Sequence, residues 1–325
     1  MKCLVQIKLL SLLNKNIKTS FRHLGEKMRY LTLYYSFFFL GFSHLAVGNQ
    51  PTNTPTQAED QSKLSYIETA YDLIEKNQTK ELFIFFERKE VQSDAQIQNL
   101  IGSLYHEAVI FERSYPKAAD WLEKAAVQGW AASQAKLSDL YFNGRGVEKN
   151  HDKGMFWLNK ALAQNNGSAF QILGQKYYFG DGVPQNYNKA FELFKKSNEK
   201  GDLYGQYQLG MAYLYGRGTK QSFAKALPLL KKAADAGIME AQFDLGVMYL
   251  NGEGVKMDRG LGADYIERAA LKGMDIAQFA AGKIYLFLGC PEKARPWFEK
   301  AAAQGYQDAQ LELKKLVTFQ KIMVY

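Results

Sequence analysis

One spacing dominates this sequence, because a small residue followed three positions later by a tyrosine returns every 36 residues. The small residues are Gly102, Ser138, Gly174, Gly210, Gly246 and Gly282. The tyrosines are Tyr105, Tyr141, Tyr177, Tyr213, Tyr249 and Tyr285. A constant step over six copies indicates that the chain is an array of one repeated supersecondary unit.

The length of the repeat indicates the kind of unit. About 36 residues accommodate two helices of roughly a dozen residues each and two turns. The second half of the unit carries its own column of small residues, at Ala118, Gly154, Ala190, Ala226, Gly262 and Ala294. Large residues accompany it, at Trp121, Trp157, Leu193, Leu229, Tyr265 and Trp297. Small residues let paired backbones approach while large neighbours fill the remaining space, so the pattern predicts stacked helix pairs.

Two glycines recur in the loop between the two helices of a unit. They are Gly144 and Gly146, Gly180 and Gly182, Gly216 and Gly218, and Gly252 and Gly254. A helix commonly ends on a left-handed residue, a conformation that glycine adopts without strain. The loop glycines are therefore predicted to end the first helix of each unit.

With these columns the sequence resembles the Sel1-like repeat family, relatives of the tetratricopeptide repeats whose unit reads approximately AxxxLGxxYxxGxGVxxDxxKAxxWxxKAAxxG. The resemblance covers residues 95–306, and residues 241–273 carry its fullest copy. It implies an all-α, right-handed α/α solenoid of about six 36-residue helix pairs with helical caps. The first copy lacks the loop glycines, and Gly289, Cys290 and Pro291 replace the loop in the sixth copy, which is four residues shorter.

The first 48 residues are predicted to be a leader with a secretory signal peptide. After Met28 a short basic start precedes an apolar run of about 17 residues and then Ala46-Val47-Gly48, small residues suited to a signal peptidase. Met28 is the expected true start of translation. Cleavage would place a mature chain beginning near Asn49 in the periplasm or outside the cell. An uncleaved single-span anchor and a chance apolar stretch stay open as alternatives.

The segments around the repeats are predicted from composition and periodicity. Residues 49–61 are polar and contain two prolines, which favours a flexible linker. Residues 62–94 show helical spacing without the glycines of the repeat, so they are expected to form an N-terminal capping helical hairpin. Residues 307–325 are expected to form a C-terminal capping helix, since a terminal repeat has a neighbour on one side only.

The charge of the chain is concentrated in the leader. The formal net charge is +8, but residues 1–48 hold seven basic residues and one acidic residue. The remainder holds 34 basic and 32 acidic residues and lacks a basic stripe, so nucleic-acid binding is not expected. No membrane partner is expected for the mature chain unless the leader stays uncleaved, and the chain is expected to be a monomer.

The sequence offers no catalytic, cofactor or metal site. Of the four histidines, only His106 and His151 lie beyond the leader, and each lacks the nearby partners that a metal or catalytic cluster needs. They are expected on a helix surface and in a loop. The two cysteines, Cys3 and Cys290, are too few for the disulfide in every repeat that some penicillin-binding Sel1-like proteins carry. We therefore predict that the protein is not an enzyme and needs no cofactor.

One further face of the first helices is the candidate for partner binding. Its columns vary between repeats, which suits recognition but also suits a solvated face. Binding through loops or through the convex surface, and no direct role in binding for this face, stay open as alternatives. This set, called here the first-helix strip, comprises Lys136, Asp139, Asn143, Ile172, Gln175, Phe179, Gln208, Met211, Tyr215, Asp244, Val247 and Asn251.

Within the strip, Phe179, Met211 and Tyr215 are the expected anchors, because binding energy concentrates in a few large side chains. Gln175 and Gln208 beside them would pair with the backbone of a partner. The alternative is that Phe179 and Tyr215, which precede loop glycines, fill the space between neighbouring repeats.

The resemblance implies a non-catalytic scaffold or adaptor that binds another protein or an extended peptide, exported to the bacterial envelope or outside, with a role in contact with host cells. An envelope enzyme or a peptidoglycan-binding accessory, related to the penicillin-binding Sel1-like proteins, is the alternative. A eukaryotic endoplasmic-reticulum adaptor is a third reading. The sequence itself does not identify the partner.

Overall fold

The computed structural model describes residues 57–76, 78–107 and 111–323, with side chains from residue 66 to residue 316 of these. The predicted leader and the start of the predicted linker lie outside the described residues. Regular structure in the described part is entirely helical. Its helices are α1 Gln57–Glu75, α2 Thr79–Phe86, α3 Lys89–Gln92, α4 Ala95–Glu107, α5 Tyr115–Val127, α6 Ala131–Asn143, α7 His151–Ala163, α8 Gly167–Phe179, α9 Tyr187–Glu199, α10 Leu203–Tyr215, α11 Phe223–Asp235, α12 Met239–Asn251, α13 Arg259–Leu271, α14 Asp275–Phe287, α15 Pro291–Ala303 and α16 Gln307–Met323.

Helices α4 to α15 form six helix pairs, one for each copy of the sequence repeat. Each of these helices is 13 residues long. The expected all-α solenoid of repeated helix pairs is confirmed. Among the described residues, no helix has the length and apolar character needed to cross a membrane.

The described residues divide into two compact units. One comprises the described residues up to 212 together with 216–220, and the other comprises 213–215 and the described residues from 221. The first unit therefore holds α1 to α9, and the second holds α11 to α16. Every contact described below lies within one unit.

The two small columns bring the helices of a pair into contact. In the fifth pair, a Cβ atom added to Gly246 of α12 would lie 2.9 Å from the carbonyl oxygen of Gly262 in α13. The converse contact, from Gly262 to the carbonyl oxygen of Gly246, would be 2.8 Å. In the first, third and sixth pairs the small residue faces a large side chain, Leu122 for Gly102, Phe194 for Gly174 and Phe298 for Gly282.

The tyrosine that follows the small residue contacts a lysine of the second helix in most pairs. Lys189 Nζ lies 5.1 Å from the centroid of the Tyr177 ring, in the same helix pair, which is the geometry of a cation–π contact. The pairs Lys117 and Tyr105, Lys153 and Tyr141, Lys225 and Tyr213, and Lys293 and Tyr285 repeat it. The fifth pair has Leu261 in the lysine column, and Tyr249 instead stacks on Tyr265 with an interplanar angle of 4°.

The loop glycines have two different roles. The first of each loop ends its helix in the left-handed conformation, with φ of 66° at Gly144 and 75° at Gly180, as predicted. The second makes room for the first residue of the preceding pair's second helix, because a Cβ atom there would overlap it. We call these contacts seams; from the first to the fourth they join Tyr115 to Gly146, His151 to Gly182, Tyr187 to Gly218, and Phe223 to Gly254.

Glutamine side chains form hydrogen bonds at the turn between the second helix of one pair and the first helix of the next pair. Gln134 Nε2 donates to the carbonyl oxygen of Ala126 at 3.0 Å, and Gln134 Oε1 accepts from Gln164 Nε2 at 2.8 Å. Gln98 and Gln128 form the same arrangement one repeat earlier, and Gln278 and Gln304 form it in the last pairs. These bonds add a side-chain donor to carbonyl groups at the end of a helix; the Ala126 carbonyl also accepts from the Gly129 N–H at 3.0 Å.

Replacing Gln134 by leucine is expected to destabilise the protein by about 2 kcal/mol. Gln134 is buried, and leucine would remove two of its hydrogen bonds, the one to the Ala126 carbonyl and the one from Gln164 Nε2, each of which contributes about 1 kcal/mol. Chemical denaturation of both proteins measures the difference. Gln164→Leu is the matched control and should cost less, because Gln164 is only partly buried. An equal loss in the two variants would contradict this role of the column.

The caps differ in detail from the prediction. Helix α1 begins at Gln57, so residues 57–61 of the predicted flexible linker are helical. Glutamine, alanine and glutamate favour helix once the prolines have ended, which explains the difference. The predicted N-terminal hairpin contains a third short helix, α3, whose Val91 joins the apolar core with Leu82 and Phe85.

The C-terminal cap is the single helix α16. Lys314 lies 32 residues after Gly282, which is the length of the shortened sixth repeat, and therefore occupies the position of the small column. It is exposed. A long charged side chain therefore stands where the first helix of each earlier pair has glycine or serine.

Candidate functional site

The N-terminal part of the first-helix strip is a network of charges linking neighbouring repeats. Lys136 Nζ, in α6, donates to Ser103 Oγ at 2.6 Å and lies 3.2 Å from Glu107 Oε1. Ser103 and Glu107 belong to α4, so Lys136 joins the first helices of the first two pairs. The lysine is held in place rather than free in solvent.

Asp139 lies at the centre of this network. Asn143 Nδ2 donates to Asp139 Oδ1 at 2.8 Å, and Arg145 Nη1 lies 3.7 Å from Asp139 Oδ2. Burial raises the pKa of Asp139, while the positive charges of Arg145 and Lys176 and the bond from Asn143 oppose the shift. Asp139 Oδ2 is buried without a hydrogen-bond partner. Asp139 and Asn143 are thus bonded to each other, with Lys136 one turn before them on α6. The role of this part of the first-helix strip in partner binding stays a prediction.

Lys176 belongs to the same network, and sequence reasoning missed it. Its Nζ lies 3.4 Å from the centroid of the Phe142 ring and 3.0 Å from Asp181 Oδ2. Lys176 is buried in α8. The sequence did indicate that Lys176 is unusual, because the equivalent positions of other repeats hold apolar residues, Leu140, Ala212 and Met248.

The next residues of the strip are less exposed than a solvated face would be. Gln208 is 8% exposed and Ile172 is buried. Gln175, Phe179 and Met211 are half-buried. The Phe179 ring packs edge to face against Tyr178, with ring centroids 4.9 Å apart.

The strip residues from Tyr215 onward belong to the C-terminal unit. Tyr215 and Val247 are half-buried, and Val247 packs against the apolar core of the last two repeats. Asp244 is 8% exposed, whereas Asn251 is exposed. Glu240, one turn before Asp244, is buried, and burial raises its pKa to about 7, with Asp244 adding to the shift.

The expectation that His106 lies on a helix surface is wrong. His106 is buried near the end of α4, and its ring packs edge to face against Tyr115 at 5.5 Å between centroids. Phe142 and Tyr178 occupy the same column in the next two repeats, which places His106 at an aromatic packing position. Burial, together with Lys136, Arg145 and Arg113, lowers the pKa of His106 to about 3. His151 is exposed and is the first residue of α7, at the second seam.

Two guanidinium groups lie beside the same tyrosine. The Cζ atoms of Arg113 and Arg145 lie 5.9 Å and 6.0 Å from the centroid of the Tyr115 ring. Arg113 precedes α5, and Arg145 stands between the loop glycines Gly144 and Gly146. The first seam therefore gathers Arg113, Arg145 and the buried His106 around one ring.

Metal ligation has no candidate in the described ranges. No three histidine, cysteine, aspartate or glutamate side chains converge there in a way that could hold an ion. What the described side chains offer is a polar first-helix surface whose charged members are held by ion pairs within and between repeats.

Comparison with known proteins identifies the repeats. A family model described as Sel1 repeat matches residues 98–130, 131–166, 172–202, 203–238, 240–274 and 276–306, together more than half of the chain. The crystal structure of a Sel1 repeat protein from Oxalobacter formigenes is 27% identical, with a TM-score of 0.56. That match covers 73% of this chain and 99% of the other.

A second solved structure is c5321, a protective antigen present in uropathogenic Escherichia coli strains, which is 29% identical with a TM-score of 0.48. The match covers 80% of this chain and 57% of that protein. A search of curated proteins gives no match.

Proposed function

Because the chain belongs to the Sel1 repeat family, we propose that it is a non-catalytic scaffold that binds another protein, through an extended segment of that protein lying along its first helices. The observation that carries the proposal is the network of Lys136, Asp139 and Lys176. Lys136 pairs with Glu107 of the preceding repeat, whereas Asp139 and Lys176 pair within their own repeats. All three charged side chains lie in columns that differ from one repeat to the next. A surface that is ordered and also variable along the array suits recognition of one particular partner.

The proposal includes export. The basic start, the apolar run and the small residues at 46–48 support a cleaved signal peptide. N-terminal sequencing of the protein recovered from the periplasm or the medium is expected to begin near Asn49. Recovery from the cytoplasm of chains that still begin at Met28 would contradict export by cleavage.

Partner capture tests the scaffold. The mature chain, immobilised, would be exposed to cell-envelope and host-cell extracts, with bound proteins identified by mass spectrometry. We expect one or a few partners, and we expect replacement of both Phe179 and Tyr215 by serine to abolish capture with little change in melting temperature. Large side chains of this kind supply most of the energy of an interface.

The matched control replaces Phe156 by serine. Phe156 lies on α7, the second helix of its pair, and is 52% exposed. Its loss should leave capture intact. If the double variant melts at a lower temperature, Phe179 and Tyr215 fill gaps between repeats; if capture survives, the partner binds elsewhere.

A further inference from the structure

Helix α2, in the N-terminal cap, carries apolar side chains on two opposite faces. Leu82, Phe85 and Phe86 are buried in the core that α2 shares with α1 and α4. Phe83 and Ile84 lie on the other face and are 44% and 62% exposed. A helix that is apolar all round is normally buried all round. The second face of α2 therefore indicates a binding surface.

This exposed pair differs from the other exposed apolar residues of the described part. Single exposed apolar side chains need no explanation. The others stand singly in the sequence, at Val127, Phe156, Met257, Leu271, Phe287 and Leu311. Phe83 and Ile84 are adjacent, and the Phe83 ring is held 4.6 Å from the ring of Phe111, measured between centroids. A ring that is already fixed loses little conformational freedom when it binds, which favours an interface.

Two opposite charges lie on the same face of α2. Positions 80, 83, 84 and 87 have the i, i+3, i+4 and i+7 spacing of one helix face. Lys80 and Glu87 are both exposed, and neither has an ion-pair partner among the described side chains. Along the helix the face therefore presents a positive charge, two apolar residues and a negative charge.

This order of residues is complementary to itself. If two copies of α2 pack antiparallel about a two-fold axis between Phe83 and Ile84, the two apolar pairs meet at the axis. Lys80 and Glu87 each lie about 5 Å from the axis along the helix, at a rise of 1.5 Å per residue, so each Lys80 faces Glu87 of the other copy. Parallel packing would instead place like charges opposite each other.

We propose that this face of α2 binds the same face of a second copy of the protein, in an antiparallel and symmetric dimer. The proposal goes beyond the scaffold function and does not depend on it, because no residue of the first-helix strip lies on α2. It replaces the expectation that the chain is a monomer. A symmetric contact of this kind closes on itself and stops at two copies.

The contact is expected to be weak. One helix of eight residues from each copy buries less area than the interfaces of permanent dimers, so dissociation constants in the micromolar range or above are expected. A dimer would nevertheless present two first-helix strips, and a partner with two matching segments would bind it more tightly than it binds one copy.

Sedimentation equilibrium of the purified protein tests the dimer. We expect a monomer–dimer equilibrium between about 1 µM and about 1 mM, a range that spans the affinities of small interfaces. Ile84→Asp should lose the dimer throughout this range, because it would bring two carboxylates together at the apolar axis. The matched control is Val127→Asp, at a side chain of α5 that is 71% exposed, and it should dimerise as the wild type does.

Two charge reversals test the antiparallel arrangement. Lys80→Glu makes both ends of the face negative, and Glu87→Lys makes both ends positive. Each variant alone should dimerise about tenfold more weakly than the wild type, because like charges would face each other. An equimolar mixture of the two variants should form a heterodimer, and the double reversal in one chain should restore the homodimer. Circular dichroism would confirm that these variants, changed at exposed positions, keep the helical fold.

Three results would overturn the proposal. The first is a wild-type protein that stays monomeric at the highest concentration, and the second is a dimer that Ile84→Asp leaves unchanged. The third is a mixture of the two charge variants that associates no better than each variant alone. The outcome is separable from that of the scaffold proposal, because Ile84→Asp should still capture the partner of the first-helix strip as a monomer.

Discussion

The Gly246→Leu variant is expected to be about 4 kcal/mol less stable than the wild type, because four added carbon atoms would enter the closest backbone contact in the fifth pair. A Cβ atom at this position would already lie 2.7 Å from Ile266 Cγ1 and 2.9 Å from the Gly262 carbonyl oxygen. Removing glycine from a helix interior gains only about 1 kcal/mol of helix propensity, so the steric term decides the sign.

Chemical denaturation followed by circular dichroism measures this loss. Ser138→Ala is the control, since the second repeat already carries a side chain at the equivalent position and Ser138 Oγ bonds only to the Ala135 carbonyl of its own helix. That change should alter the free energy of unfolding by less than about 1 kcal/mol. A Gly246→Leu protein as stable as the wild type would show that the helices of the fifth pair can separate freely.

Two buried groups are expected to give the protein opposite responses to pH. The pKa of His106 falls from 6.5 to about 3 on folding, so between these values the unfolded chain binds a proton that the folded state excludes. Its contribution to stability is therefore present at neutral pH and is lost as the pH falls below 6.5. The pKa of Glu240 rises from 4.5 to about 7, so the folded state retains a proton that the unfolded chain loses, and stability falls as the pH rises through this range.

For each group, the free energy of unfolding changes with pH by up to about 1.4 kcal/mol per pH unit. The contributions of His106 and Glu240 have opposite signs, so they nearly cancel in the pH range where both groups titrate. Between pH 4.5 and 6.5, the stability of His106→Leu should fall by about 2–3 kcal/mol relative to the wild type as the pH rises. That of Glu240→Gln should rise by a similar amount. Leucine fits the first position, since Leu214 occupies the same column.

Denaturant unfolding at several pH values measures both slopes. Burial also raises the pKa of Asp139 and Asp202, but these groups are common to all three proteins and cancel in the differences. Parallel pH profiles for the wild type and His106→Leu would mean that the ring reaches solvent in the folded state.

The fold followed from the sequence because its packing residues repeat. A position that must be small, such as Gly246, is glycine or serine in all six copies, and six observations of one constraint outweigh the ambiguity of any single segment. The glutamine column at Gln134 was equally visible in the sequence. Its role was not, since a polar side chain at a turn shows no preference between solvent and a carbonyl of the next repeat.

The candidate site was harder to predict, because a polar residue type suggests exposure even where the same position in other repeats is apolar and buried. His106 stands where the next two repeats have aromatic rings, and Lys176 stands in an apolar column, so both are buried despite being polar. Asp244 and Gln208 were placed on an open face by helical spacing, yet each is 8% exposed. Spacing within one helix identifies a face, but neighbouring elements decide whether that face meets water.

Lys314 has a consequence for assembly. Stacked helix pairs can in principle be extended by another molecule, because the last helix presents the kind of face that accepted every earlier pair. Here that extension would place the long side chain of Lys314 where each preceding unit has glycine or serine, which would keep the two helices from approaching as closely as in the earlier pairs. We therefore expect the side chain of Lys314 alone to weigh against end-to-end polymerisation of the protein.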